Sequence, residues 1–155
     1  MTFRISALPR AAFAHLFNLS DEALPACGAR RVLAGASGGY PCRVSLTDAT
    51  PGETLILTHY EHQPADTPFR AGHAVYVREA AADTHLAPGE IPALLRSRLL
   101  SLRAFDGGGM MIDADVADGA AIASAIDAML AHPQVAYLHL HYARPGCYAA
   151  RVDRA

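Results

Sequence analysis

The chain has no lysine: every one of its 13 Lys+Arg positions is an arginine. A P-loop needs its lysine, and pyridoxal phosphate or Schiff-base chemistry needs a lysine amine, so neither cofactor class is expected and no other is implied. Cysteine is scarce. Cys27, Cys42 and Cys147 make an odd set of three without a Cys-x-x-Cys, which gives no disulfide framework. No apolar run approaches the ~20 residues that cross a bilayer, and residues 1–9 lack the long apolar core of a signal peptide. No membrane association is expected, and free thiols fit a reducing cytoplasm. The formal net charge of −2 supplies no basic field, so no nucleic-acid partner is expected.

What remains is 155 residues with 52% apolar and 18% charged content, enough for a single domain spanning 1–155. Phe3 and Ile5 alternate with polar neighbours as in a short strand. Pro9 suits the first position of a helix whose stripe is Phe13, Leu16 and Phe17, and Ser20 caps a further turn. After a loop over 35–41, Cys42, Val44 and Leu46 alternate with Arg43, Ser45 and Thr47, predicting a half-buried strand. Pro51-Gly52 then turns the chain into an apolar strand over 54–59, and another strand covers 74–78. A helix is expected over 90–97. Residues 99–105 fit helix or strand; strand is preferred, because Gly107-Gly-Gly109 and a strand over 110–116 follow at hairpin distance.

The C-terminal third is the most regular part. Asp118 is placed to cap an alanine-rich helix over 119–131, with Ile122, Ile126, Met129 and Leu130 buried, and His132-Pro133 ends it. Strands over 135–142 and 147–153 complete the chain. The expected class is α+β: a single compact domain with a mostly antiparallel mixed sheet, a C-terminal β-α-β-β unit and helices packed on it.

Two registers are open to the last hairpin: a two-residue loop at Pro145-Gly146 pairs Leu140 with Arg151 and mixes the faces, so the pattern prefers the other. A three-residue loop over 144–146 sets Leu140 against Ala150 and Leu138 against Val152 on one face. The other face sets His139 against Arg151, His141 against Ala149 and Ala143 against Cys147. With the helix covering Ile112, Ala114, Val116, Leu138 and Leu140, the acids Asp113 and Asp115 are expected on the histidine face.

Several chemistries compete for these residues. His139 and His141, two apart on a strand, project the same way about 7 Å apart and suit a shared metal ion, with Cys147, Asp113 or His59 as third ligand. Paired strand histidines also serve as ordinary hydrogen-bonding groups. Cys147, after Pro-Gly and near Arg144 and His141, has cationic neighbours that favour thiolate, although a buried cysteine is more often a small hydrophobe. In Thr58-His-Tyr-Glu-His62, a strand puts His59 and Glu61 on one face for acid–base work and His62 on the other. A solvated strand end explains the segment as well. Gly35-Ala-Ser-Gly-Gly39 matches G-x-S-x-G, but Tyr40-Pro41 and a strand follow it where a nucleophile elbow needs a helix. Arg43, Arg70, Arg78, Arg144 and Arg151 are candidate clamps for a carboxylate or phosphate, although most such arginines are surface charges.

Gly39-Tyr-Pro-Cys-Arg-Val-Ser-Leu46, Pro51-Gly-Glu53, His59-Tyr-Glu-His-Gln63, Pro68-Phe-Arg70, Val75-Tyr-Val-Arg-Glu79, Leu102-Arg-Ala-Phe-Asp106 and His141-Tyr-Ala-Arg-Pro-Gly-Cys-Tyr148 occur in order along the chain. Together they resemble a bacterial family known as domain of unknown function 1203. The resemblance implies one compact bacterial cytoplasmic domain and no assigned activity.

The expected function is therefore a small-molecule-binding protein or an enzyme; the sequence does not decide between binding and catalysis. Its pocket would hold Cys147, His141, His59 and Glu61 as catalytic candidates, with Cys42, Arg43, His62, Arg70, Arg144 and Arg151 binding the ligand. Two alternatives stand beside it. One is a metal-binding protein using His139 and His141. The other is a non-catalytic interaction module or homodimer whose apolar strands, 55–57 and 75–77, supply the interface.

Overall fold

A computed structural model describes residues 2–155 and shows the expected α+β class, with its strands in two antiparallel sheets. In chain order the strands are β1 (Phe3–Ser6), β2 (Ala29–Leu33), β3 (Thr54–Gln63), β4 (Ala71–Arg78), β5 (Leu99–Phe105), β6 (Met111–Asp118), β7 (Tyr137–Tyr142) and β8 (Tyr148–Arg154). The α-helices are α1 (Ala14–Phe17), α2 (Ala93–Arg96) and α3 (Ile122–Leu130). No helix among the described residues is long and apolar enough to cross a membrane. The residues group into two compact units.

The first unit takes in the N-terminal residues through Ser6, together with Glu61–His73 and His85–Ala155. Its sheet runs β1-β8-β7-β5-β6. Residues 99–105 are strand, and β5 holds the centre by pairing antiparallel with both β6 and β7. Strands β6 and β7, joined through α3, are therefore parallel with β5 between them. Leu100, Leu102, Ala104, Leu138, Leu140, Ala150 and Val152 form one apolar, fully buried face. The stripe Ile122, Ile126, Met129 and Leu130 on α3 is buried with them, and α3 packs on β5, β6 and β7. Burying such side chains stabilises by about 1.5–3 kcal/mol each. Asp118 precedes the helix as expected, but its side chain makes no capping hydrogen bond. Gly119 is there for space: a Cβ would lie 1.9 Å from the Leu95 carbonyl oxygen.

Two expectations about this sheet are corrected. Ile112, Ala114 and Val116 on β6 are not the residues covered by α3; all three are exposed. The register of β6 is also one residue away from the expected one. Asp115 stands beside Leu102, and Asp113 beside Ala104, so the acids lie on the Leu138/Leu140 side, while Ala114 stands beside Arg103. A slip of one moves every side chain to the other face.

The second unit comprises Ala7–Tyr60 and Ala74–Thr84. Its strand β2, unanticipated from the sequence, pairs antiparallel with β3. The expected strand over 42–47, and its hairpin with 54–59, is absent. Cys42, Arg43, Val44 and Leu46 are all buried in a turn, closed by hydrogen bonds from Cys42 N to Thr47 O (3.0 Å) and from Leu46 N to Cys42 O (3.1 Å). Leu46 takes a left-handed φ of 51° to complete that turn, a conformation uncommon outside glycine. In the apolar strand segments put forward as an interface, Leu55, Ile56, Val75 and Val77 are each 0% exposed, while Leu57 and Tyr76 are half-buried. Arg78 pairs with Glu53 at 2.6 Å, and Arg31 bridges Glu79 and Asp21. These charges are spent on each other.

Candidate metal centre

The face of the first unit's sheet opposite α3 carries the histidines. The sequence register holds along most of the last hairpin: Leu138 pairs with Val152, His139 with Arg151 and Leu140 with Ala150. It then shifts. His141 stands opposite Tyr148 and not Ala149, because β8 bulges by one residue there. The bulge turns Tyr148 onto the histidine face, its ring 5.2 Å from that of His139 and 5.8 Å from that of His141. Cys147 moves to the turn, where its carbonyl accepts from Tyr142 N at 2.9 Å.

A third histidine comes from the segment Glu61–His73. His62 stacks on Tyr148, with ring centroids 5.2 Å apart and planes within 9°. Its ring lies 4.8 Å from that of His141 and 5.7 Å from that of His139. What seats this segment is its neighbour Gln63, whose amide donates to Tyr137 Oη at 2.8 Å and to the Gly109 carbonyl at 3.4 Å. Thr67 Oγ1 donates to the same carbonyl at 3.2 Å. Gly109 has a φ of 84°, and a Cβ there would fall 2.4 Å from that of Ala65, so only glycine permits the approach.

One ligand nitrogen from each of His62, His139 and His141 lies within 4.8 Å of the other two. An ion bound tetrahedrally at 2.0–2.1 Å separates its ligand nitrogens by about 3.3 Å, so small side-chain rotations close the set. The state of the donors favours coordination. His141 Nδ1 lies 2.9 Å from the carbonyl oxygen of Gly146, a group that can only accept. Nδ1 therefore carries the proton, and Nε2, buried with no hydrogen-bond partner, carries the lone pair. His139 Nδ1 is likewise buried without a partner. Burial, and then the charge of His62 and the other histidine, push His139 down to about 3. Burial also pushes His141 down to about 3, against the hydrogen bond to Gly146 and with Arg103 and His62 adding to the shift. Both rings are neutral at neutral pH, the form that binds metal.

Two arginines share this face. Arg151 is held by Asp153 through two parallel hydrogen bonds (2.8 and 2.9 Å) and lies 3.9 Å from the centre of the Tyr137 ring. Arg103 stands directly beside His139 in the sheet. Desolvation holds its guanidinium below its ordinary range, and no acceptor holds it among the described residues.

The other candidates named from the sequence lie in different surroundings. Glu61 is exposed and ion-paired with Arg70 at 2.8 Å. Arg144 is exposed in the β7–β8 turn, and Cys147 is buried outside the group of three donors. In the second unit, Cys42 is 0% exposed and its sulfur accepts from Ser45 N and Arg78 N, while the buried Arg43 donates to the Pro41 carbonyl at 2.6 Å. His59 lines a separate cavity of about 360 Å³ with Gly28, Arg30, Leu57 and Thr58. Asp113 and His59, named as third ligands, are not in the set; His62 is.

The sequence offered His62 only as a ligand-binding residue and gave Tyr148 and Arg103 no role. No curated protein and no solved structure matches the chain. A family described as protein of unknown function, DUF1203, has a model that matches residues 39–154 of 155, and the chain belongs to that family.

Proposed function

We propose that this protein binds one divalent transition-metal ion, of the zinc class, through His62, His139 and His141, and keeps a fourth coordination position open for an exchangeable ligand. The observation that carries the reading is the convergence of three histidine ligand nitrogens within 4.8 Å of one another, with His139 and His141 buried and His62 half-buried. Three neutral imidazoles suit zinc and its neighbours in the first transition row. A three-ligand protein set is the arrangement of sites that use the remaining position for water or substrate, and zinc lowers the pKa of such a water to about 7.

This reading reassigns His141 from acid–base catalyst to ligand. Its Nδ1 proton is committed to Gly146, and burial keeps the ring neutral. Neither property suits a group that must shuttle a proton near pH 7. Extended X-ray absorption on untagged, zinc-loaded protein tests the ligand set. Three nitrogen scatterers at 2.0–2.1 Å with imidazole outer-shell features are expected. Sulfur at about 2.3 Å would assign Cys147 or Cys42 instead and sink the three-histidine set.

A further inference from the structure

Charge is the least balanced property of this face. All three proposed ligands are neutral, so nothing in the set offsets the ion's two positive charges. The acids of the neighbouring strand β6 lie on the other side of the sheet, Asp113 beside Ala104 and Asp115 beside Leu102. Glu61, next to His62, is paired with Arg70, and Asp106 accepts from the Gly108 and Met110 N–H groups. Asp153 is committed to Arg151. Arg103 adds a further positive charge beside His139, half-buried and with no acceptor among the described residues. Opposed residues on adjacent antiparallel strands have Cβ atoms about 4.5–5.5 Å apart, so the Arg103 side chain is long enough to reach the space above the histidines. Its other neighbour, Ala114 on β6, is too small to fill that space.

We infer that the ligand of this centre is a small oxyanion, one of whose oxygens takes the ion's open position while another accepts hydrogen bonds from Arg103. The inference rests on the metal reading above and adds the ligand's class to it. A carboxylate and a phosphate share the required chemistry: two or more oxygens with delocalised negative charge, matched to the guanidinium fork. Arg151 has the same chemical capacity, but its fork is already occupied by a carboxylate. That pair shows the geometry the sheet supports for an anion on this face.

Cobalt(II) is the probe, because its visible spectrum reports both binding and a change of the fourth ligand. Cobalt is bound to the full-length protein, and its stoichiometry is measured first. Sodium acetate and inorganic phosphate are then titrated separately at constant ionic strength. A saturable spectral change with acetate identifies a carboxylate site, and one with phosphate a phosphate site; either supports the inference. Arg103→Met should weaken that anion at least tenfold with cobalt stoichiometry unchanged, and the exposed Arg96→Gln should leave it unchanged. If Arg103→Met fails to hold cobalt, Arg103→Gln is read the same way. Cobalt bound with no response to either anion, or equal anion affinity in the Arg103 variant, overturns this inference alone. No cobalt bound to the wild type overturns the metal reading and this one together.

Discussion

The imidazole Nδ1 of His141 sits 2.9 Å from the carbonyl oxygen of Gly146, five residues later in the same hairpin. That contact fixes the tautomer of a buried histidine and presents its other nitrogen to His62 and His139. It exists because Gly146 takes a φ of 79° and hydrogen-bonds back from its N–H to the Tyr142 carbonyl at 2.8 Å. The turn Ala143-Arg-Pro-Gly146 therefore orients a ligand rather than contributing one. Nitrogen-15 NMR on the metal-free protein should show His141 with its proton on Nδ1. A proton on Nε2 would contradict the orientation.

Stability should fall as the pH drops below the ordinary histidine range. In the unfolded chain His139 and His141 take up protons near 6.5, while in the fold burial delays this to about 3. Between those values the unfolded state binds more protons, so acid favours unfolding. At pH 5 the loss is roughly 2 kcal/mol for each histidine. Urea unfolding of metal-free protein at pH 7.5 and pH 5 measures it. The double variant His139→Gln/His141→Gln should lose most of that pH dependence, and an equal midpoint for the wild type at both pH values would be inconsistent with buried neutral rings.

Gly109 should matter to metal binding without being a ligand. Its left-handed φ and the 2.4 Å approach to Ala65 leave no room for a Cβ, and its carbonyl anchors Gln63 and Thr67 next to His62. Gly109→Ala is expected to displace His62, weakening zinc by about tenfold, alongside a stability loss of about 1–3 kcal/mol. Unchanged zinc affinity in a folded variant would show that this anchor does not position the ligand.

Gly119 provides the contrast. An added Cβ would fall 1.9 Å from the Leu95 carbonyl oxygen and 2.7 Å from the backbone of Arg96, at the start of the 3-10 turn leading into α3. Gly119→Ala should cost about 1–3 kcal/mol and lower Tm by about 2–4 °C per kcal/mol. Zinc affinity of the folded fraction should hold, because α3 lies on the other face of the sheet. A Tm equal to that of the wild type would count against the close packing.

Local pattern predicted the apolar half of the C-terminal unit well. The period of Ile122, Ile126 and Leu130 marks the buried stripe of α3, and alternation pairs Leu138 with Val152 and His139 with Arg151. The bulge that brings Tyr148 opposite His141 has no residue signature, since Ala149 fits either side of a strand. For β6, Met-Ile-Asp-Ala-Asp-Val reads equally well in two registers, and the edge strand leaves both sides exposed, so burial does not choose between them. Alternation also misled at Cys42–Leu46. There Arg43 is buried with its guanidinium on the Pro41 carbonyl, an arrangement that hydropathy counts as exposed. His62 was the hardest to read, because its place depends on Gln63 meeting Tyr137, 74 residues away.

The most direct test of the three-histidine centre is a competition titration of metal-free, untagged protein with zinc against a chromophoric chelator. One zinc ion per chain is expected. His62→Gln, His139→Gln and His141→Gln should each weaken it at least 100-fold, while Cys147→Ser and His59→Gln leave it unchanged. Zinc held with wild-type affinity by the triple histidine variant, or no zinc held by the wild type, would contradict the centre.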